Sequence, residues 1–325
     1  MRKINMMTAK AEAVREEMER DERVILVGQD VYETGGIFEQ YRSFGQKFGK
    51  ERVIQTTLNE SGHATFSVGA AIGGLRPIVE FNIAEFSSFA MSAIVNEAAK
   101  QRGMTYGAVK IPIVFCMSQG GGFGTGGMHA TVADSWFTNT SGLKVYVPYY
   151  PADIKGLMKY AIHEDDPVVF LDHKDFGVTG EVPDLEVDHI VEPGKANILK
   201  EGTDVTIVSY QRGVFNAMKA YDDIVKLGIY PEIIDLRTLV PLDKETIINS
   251  VKKTGRLLVV TESRKLGGFG NNVVTAVVEN AFESLKGSHP IHYVSSKDYV
   301  PFYGVGEKHV LIQPDEIVKA VKKVM

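Results

Sequence analysis

Two stretches of this chain carry side chains whose type and spacing suit chemistry. Glu60, in Thr56-Thr-Leu-Asn-Glu-Ser-Gly, follows a short strand-like run and precedes the apolar stretch Phe66 to Leu75. A carboxyl group there can hold or pass a proton; it reads equally well as a first-turn helix carboxylate favoured by the macrodipole. His63, three residues on, falls one turn along the same helix face and can be structural or functional. His129 comes just after Gln119-Gly-Gly-Gly-Phe-Gly-Thr-Gly-Gly. Gly122, Gly124 and Gly127 match G-x-G-x-x-G, and a strand precedes them. A dinucleotide site also needs an acid about 20 residues on, and none stands where a ribose contact requires it. Glycines at the carboxyl end of a parallel strand instead suit a backbone that passes close to a ligand or partner chain. A merely flexible loop is the plainer alternative, and His129 taken alone is more often structural.

The elements that must position these residues alternate strand and helix. Thr8 to Arg20 reads as a helix with Ala11, Val14 and Met18 on one face and Thr8 as its cap. Val24–Val27, Ile78–Phe81, Ile111–Cys116, Val145–Val147 and Val168–Leu171 have the length and β-branching of buried parallel strands. Helical stretches at Phe89–Arg102 and Ala152–His163 lie between them. Gly177 to Gly194 breaks the rhythm with glycine, proline and acidic residues, which predicts a linker. A second α/β unit follows, with strands at Val205–Ser209, Tyr230–Asp235 and Leu257–Thr261. Its helices fall near Gly213–Leu227, Asp243–Lys252, Asn272–Leu285 and Pro314–Val324. The layout is α/β and doubly wound. The domains expected are 1–180, a linker at 181–196, and 197–325.

Bulk properties exclude other classes. The chain has 325 residues, more than one core usually serves, with 44% hydrophobic and 24% charged residues. A net charge of −5 offers no basic footprint for nucleic acid. The longest apolar runs are too short to span a bilayer, and the amino terminus lacks a signal-peptide core. The single cysteine, Cys116, lies in an apolar run and reads as a small buried hydrophobe. Together these predict a cytoplasmic protein. Trp136 and Phe137 read as core or interface anchors.

Blocks along the whole chain resemble the β subunits of thiamine-diphosphate-dependent 2-oxo acid dehydrogenases (pyruvate, branched-chain and acetoin). They are Asp30-Val-Tyr-Glu-Thr-Gly-Gly-Ile-Phe, Glu51-Arg-Val-Ile-Gln-Thr-Thr, Gly74-Leu-Arg-Pro-Ile-Val-Glu-Phe, Asn96-Glu-Ala-Ala-Lys, Ser141-Gly-Leu-Lys-Val, Asp153-Ile-Lys-Gly-Leu and Asp166-Pro-Val-Val. Asp235-Leu-Arg-Thr-Leu-Val-Pro-Leu-Asp and Ser250-Val-Lys-Lys-Thr-Gly-Arg continue the match. The resemblance implies a pyrimidine-binding domain followed by a transketolase-like carboxyl-terminal domain, in an α2β2 assembly. It implies thiamine diphosphate shared with an α-type subunit, which holds the diphosphate and Mg²⁺ through a Gly-Asp-Gly…Asn motif; no Gly-Asp-Gly occurs here.

The resemblance also assigns residues. Glu60 matches the glutamate that hydrogen-bonds the pyrimidine nitrogen, which shifts the ring to the imino form able to take the thiazolium C2 proton. Phe86 matches the aromatic packed on that ring, and Leu58 lies with it at the cofactor. His129 matches the active-site histidine that manages protons or orients the acyl acceptor. Ile113, Ala161, Ile162, Glu164 and Asp166 match a structural K⁺ site built from main-chain carbonyls, oxygen ligands suited to a hard cation.

The chain departs from its relatives in places. Ala130-Thr131 replaces a common Ser-Gln, Cys116 a common arginine, Asn139 a common histidine and Phe89 a common glutamine; His63 is unusual. Ser296-Lys-Asp-Tyr-Val-Pro-Phe-Tyr departs from a block that helps bind the acyltransferase core in some relatives. The main expectation is decarboxylation of a 2-oxo acid, or cleavage of acetoin, with acyl transfer to a lipoyl acyltransferase. The alternatives are a split transketolase-like or acyloin-forming enzyme, and a non-catalytic scaffold.

Overall fold

The computed structural model describes residues 1–300 and 302–325. Two compact units emerge: Met1–Gln119 with Trp136–Pro193, and Gly120–Ser135 with Gly194–Met325. The first contains β1 (Arg2–Asn5), α1 (Met6–Arg20), β2 (Val24–Gln29), α2 (Phe44–Phe48), β3 (Val53–Thr56), α3 (Glu60–Ile72), β4 (Arg76–Ile83) and α4 (Ala99–Met104). β5 (Val114–Gln119) follows. After α5 (Asp134–Thr138) come β6 (Lys144–Tyr146), α6 (Pro151–His163), β7 (Val168–His173) and β8 (Thr179–Val182).

Within this unit the parallel strands run in the order β6–β7–β5–β4–β2–β3. Valine, isoleucine and leucine fill them on both faces because helices cover both sides. From β2 the chain turns outward to β3, and from β4 it turns the other way to β5. The carboxyl ends of β2 and β4 therefore flank a topological switch point, where open α/β sheets bind ligands.

The second unit contains β9 (Asn197–Lys200), β10 (Val205–Ser209), α7 (Arg212–Val225), β11 (Pro231–Asp235), β12 (Thr238–Val240), α8 (Lys244–Thr254), β13 (Leu257–Arg264), α9 (Gly270–Ala281), β14 (Ile291–Ser296) and α10 (Pro314–Val324). Its five-stranded sheet has the order β14–β13–β10–β11–β9, with only β9 antiparallel. Ile207, Ile233, Leu258 and Val260 pack there against Ala217, Ile317 and Val321.

Local chemistry explains where the elements differ from expectation. The cap of α1 is Asn5, whose side chain accepts from the Thr8 amide at 2.8 Å, so Thr8 lies inside the helix. β5 begins at Val114 rather than Ile111 because Pro112 has no amide to give the ladder. The helix expected over Phe89–Arg102 splits into a 3₁₀ turn at Ala84–Ala90, a π-helical stretch at Ser92–Ala98 and α4. Ala84, Ser87 and Ala90 are its buried residues, a spacing of three that matches three residues per turn. The expected linker straddles the division at Pro193. Most of it is fastened to the first unit: β8 pairs with β1, His189 contacts the Ala152 carbonyl at 3.0 Å, and Lys159 pairs with Asp188. The glycine loop, read from sequence as part of the first domain, groups with the second unit.

Candidate active site

Glu60 opens α3 immediately beyond β3, at the carboxyl edge of the first unit's sheet. Asn59 caps that helix by accepting from the Gly62 amide at 2.8 Å, which fixes the turn that presents Glu60. The Glu60 carboxyl is half-buried and makes no hydrogen bond or ion pair among the described residues. Leu58, two residues earlier, is 68% exposed. Phe86 is half-buried in the turn that follows β4. The fold thus delivers Glu60, Leu58 and Phe86 to one edge of one sheet, from the ends of β3 and β4, the two strands that flank β2.

A bulge in β4 aims the chain into that turn. The pairing with β5 shifts between Glu80 and Ile83, and Asn82 stands at φ 62°. Asparagine tolerates this left-handed conformation better than a branched residue. The Asn82 Oδ1 is buried without a hydrogen-bond partner among the described residues. Sequence reasoning passed over Asn82; its signal was a polar residue inside an apolar strand.

His63 is one turn along α3 from Glu60 and is buried, its ring tilted against Phe81 at 5.1 Å between centroids. Its Nδ1 lies 3.3 Å from the Thr56 hydroxyl, tying the end of β3 to the first turn of α3. Its Nε2 has no partner among the described residues. Burial pulls its pKa down to about 4, so the imidazole is neutral at pH 7.

Beneath this edge Lys10 of α1 is buried, 3.0 Å from Glu80 of β4 and 2.8 Å from Asp172 of β7. Tyr41 donates to Glu80 at 2.9 Å, and Ser118 donates to Asp172. Burial alone would lower the Lys10 pKa; Asp172 and Glu80 outweigh it and hold it well above the usual lysine value. Cys116 is fully buried and burial pushes its thiol well up, so it is a small core residue.

The carbonyls of Ile113, Ala161, Ile162, Glu164 and Asp166 lie at the opposite, amino-terminal edge, in the segments entering β5 and β7. Ile162 and Glu164 carbonyls both accept from Arg76 Nη1, each at 2.9 Å. The Ile113 carbonyl accepts from the Val168 amide at 2.9 Å and that of Ala161 from the Glu164 amide at 3.3 Å. Two of the five oxygens therefore converge on a common positive group. Asp165 also pairs with Arg76 at 2.9 Å, and the side chains of Glu164, Asp165 and Asp166 pair with Lys144, Lys110 and Arg102.

In the second unit the glycine loop carries His129, which is half-exposed. Its amide donates to the Gly126 carbonyl at 3.0 Å, and its carbonyl accepts from the Thr125 hydroxyl at 2.9 Å. The amides of Gly121, Gly122 and Gly124 do not face an empty cradle. Gly121 donates to Glu262 at 2.7 Å; Gly122 and Gly124 donate to Glu307 at 2.9 and 2.7 Å. With internal carboxylates in place, these amides cannot take a nucleotide phosphate. Among the described residues no three His, Cys, Asp or Glu side chains converge on a metal position.

Residues 2–176 match the pyrimidine-binding domain of transketolase, and residues 194–317 match the transketolase C-terminal domain. Over 99% of its length the chain is 41% identical to the pyruvate dehydrogenase E1 component subunit beta of Rickettsia conorii, 98% of which is covered. The chain belongs to the E1 β-subunit family of 2-oxo acid dehydrogenases. This E1 β-type chain is also 38% identical to the 2-oxoisovalerate dehydrogenase subunit beta of Bacillus subtilis, over 96% of its own length and 95% of the relative's. A mitochondrial pyruvate dehydrogenase E1 subunit beta-2 of Oryza sativa is 39% identical, with 96% and 83% covered. A solved split-gene transketolase, described as an inactive β4 tetramer, superposes with a TM-score of 0.81 at 23% identity, over 99% of this chain and 98% of that one. That likeness shows the same two-domain fold. No helix among the described residues is long and apolar enough to cross a membrane.

Proposed function

We propose that this E1 β-type chain holds the pyrimidine end of thiamine diphosphate in an α2β2 enzyme of the cytoplasm. In this assembly an α-type partner holds the diphosphate and Mg²⁺, and the enzyme decarboxylates a 2-oxo acid and passes the acyl unit to a lipoyl acyltransferase. One observation carries the reading: a half-buried Glu60 carboxyl with no partner among the described residues, presented by a capped helix beside a topological switch point, in a member of this family. When bound, the cofactor supplies the nucleophilic carbon and the electron sink that decarboxylation needs. Glu60 holds a proton at the ring nitrogen, Phe86 and Leu58 cover the ring, and neutral His63 keeps a second charge away from Glu60. His129 manages protons at the acceptor step. Mg²⁺ belongs to the α-type partner's part of the site. K⁺ joins Arg76 at the Ile113, Ala161, Ile162, Glu164 and Asp166 carbonyls, using lone pairs that the guanidinium and amides leave free.

The test is Glu60→Gln in enzyme reconstituted with its natural α-type partner. Cofactor affinity is expected to stay within about tenfold, or ~1.4 kcal/mol, because diphosphate and metal contacts lie on the other chain. Hydrogen–deuterium exchange at the thiazolium C2 is expected to fall by orders of magnitude, each tenfold being ~1.4 kcal/mol of barrier. Exchange at the wild-type rate would return Glu60 to a helix-end carboxylate. Tight Mg²⁺-dependent binding by the isolated chain would overturn the two-chain site. Pyruvate, branched-chain 2-oxo acids and aldehyde acceptors, screened in the same assay, separate a dehydrogenase from a transketolase-like enzyme.

A further inference from the structure

We infer that Glu307, assisted by Glu262, is a positioning residue that clamps the glycine loop and thereby sets the place of His129; the functional half of this inference rests on the role proposed for His129. Successive backbone amides pointing into one concavity form an anion site. In this loop the anions belong to the chain itself: Glu307 Oε2 accepts from both Gly122 and Gly124, and Glu262 Oε1 from Gly121. Bonds to an ionised carboxylate are about twice as strong as neutral ones. Glu307 is 4% exposed, while its neighbours Tyr303 and Val305 are 84% and 87% exposed. An acid inside and apolar residues outside reverses the usual order, so Glu307 is held in by its bonds rather than by solvation.

The glycines make the clamp possible. A Cβ on Gly124, which stands at φ +69°, would lie 2.9 Å from the Gly304 Cα, and a Cβ on Gly122 (φ +121°) 2.8 Å from the Arg212 guanidinium. Bare backbone at Gly124 lets the loop come this close to the Gly304–His309 turn. A second strap runs beside the carboxylate: the Gly304 amide donates to the Gly124 carbonyl at 2.8 Å, and Thr125 bridges to Tyr303. From Thr125 the restraint passes to His129 through the Thr125 hydroxyl and the Gly126 carbonyl. Farther on, Tyr210 donates to the fully buried Asp134, closing the loop's other end.

The experiment compares Glu307→Ala, Glu307→Gln and Gly124→Ala in the full chain, alone and reconstituted with its α-type partner. Glu307→Ala should raise amide exchange across residues 121–130 by tenfold or more and leave α10 protected. In the reconstituted enzyme it should slow acyl transfer at least tenfold while decarboxylation to an artificial oxidant stays within twofold. Glu307→Gln keeps one acceptor oxygen and should restore both readouts to within about threefold. Gly124→Ala drives the loop away from Gly304 in the turn that carries Glu307 and should reproduce the alanine phenotype even if Glu307→Ala fails to fold. Unchanged exchange in both alanine variants, or equal loss in Glu307→Ala and Glu307→Gln, would overturn the clamp. A His129→Ala enzyme with wild-type rates in both assays would overturn the role of His129 and leave the exchange result standing by itself.

Discussion

Acidification to pH ~5 should destabilise the first unit through His63 by about 2 kcal/mol. The buried imidazole titrates at about 4, against ~6.5 for an unfolded histidine. The unfolded state therefore binds the proton first, and stability contributed by the neutral ring is present above pH ~6.5 and lost as pH falls towards 4. The full shift corresponds to roughly 3 kcal/mol at ~1.36 kcal/mol per unit, of which about 2 kcal/mol is lost by pH ~5. His63→Leu removes the titration and also the 3.3 Å contact to Thr56, a pH-independent offset of about 1 kcal/mol. The assay is urea unfolding followed by fluorescence of Trp136, the single tryptophan, which lies in the first unit. Carboxylates common to both proteins cancel in the difference. The gap between wild type and variant should shift by about 2 kcal/mol between pH ~8 and ~5. Parallel pH profiles would refute the buried, neutral imidazole, and with it the account of how Glu60 is kept free of a charged neighbour.

Four further outcomes are expected. Lys10→Met, which strands Glu80 and Asp172, should cost about 3–5 kcal/mol by urea unfolding; because the Lys10 pKa is raised, wild type should keep this contribution below pH ~10.4 and lose it as pH climbs through the raised value. Gly142→Ala combines φ +97° with a Cβ 1.9 Å from the Ala99 carbonyl and should lower stability by more than ~2 kcal/mol in the same assay. Thermal stability should rise with K⁺ beyond equal Na⁺, and identical melting curves would count against a selective site. His129→Ala should leave cofactor binding intact and slow turnover by ~10²–10⁴-fold in steady-state assays.

Periodicity and turn chemistry made much of the fold legible. Val205–Ser209 and Pro314–Val324 have the expected bounds because each has clear end signals: a β-branched run in one case, Pro314 with the Gln313–Glu316 capping box in the other. The Phe89–Arg102 stretch was harder, since small residues at spacings of three and four fit several helix types and packing chose among them. Glu60 was readable as chemistry only through its block of neighbours. By spacing alone it was a helix-end acid, and its lack of a partner among the described residues is a property of the folded surroundings.

What the sequence determined by itself was the α/β class, the buried parallel strands, the absence of a basic footprint and the family, since all follow from local pattern or from the order of blocks. Tertiary structure alone decided that the glycine loop is filled by Glu262 and Glu307, more than 130 residues away along the chain. It also decided that His63 is buried and that Arg76 sits on the carbonyls read as a K⁺ site. The physical reason is the same in each case. A polar group's charge state and availability depend on which distant groups desolvate or hydrogen-bond it, and sequence spacing does not encode those neighbours.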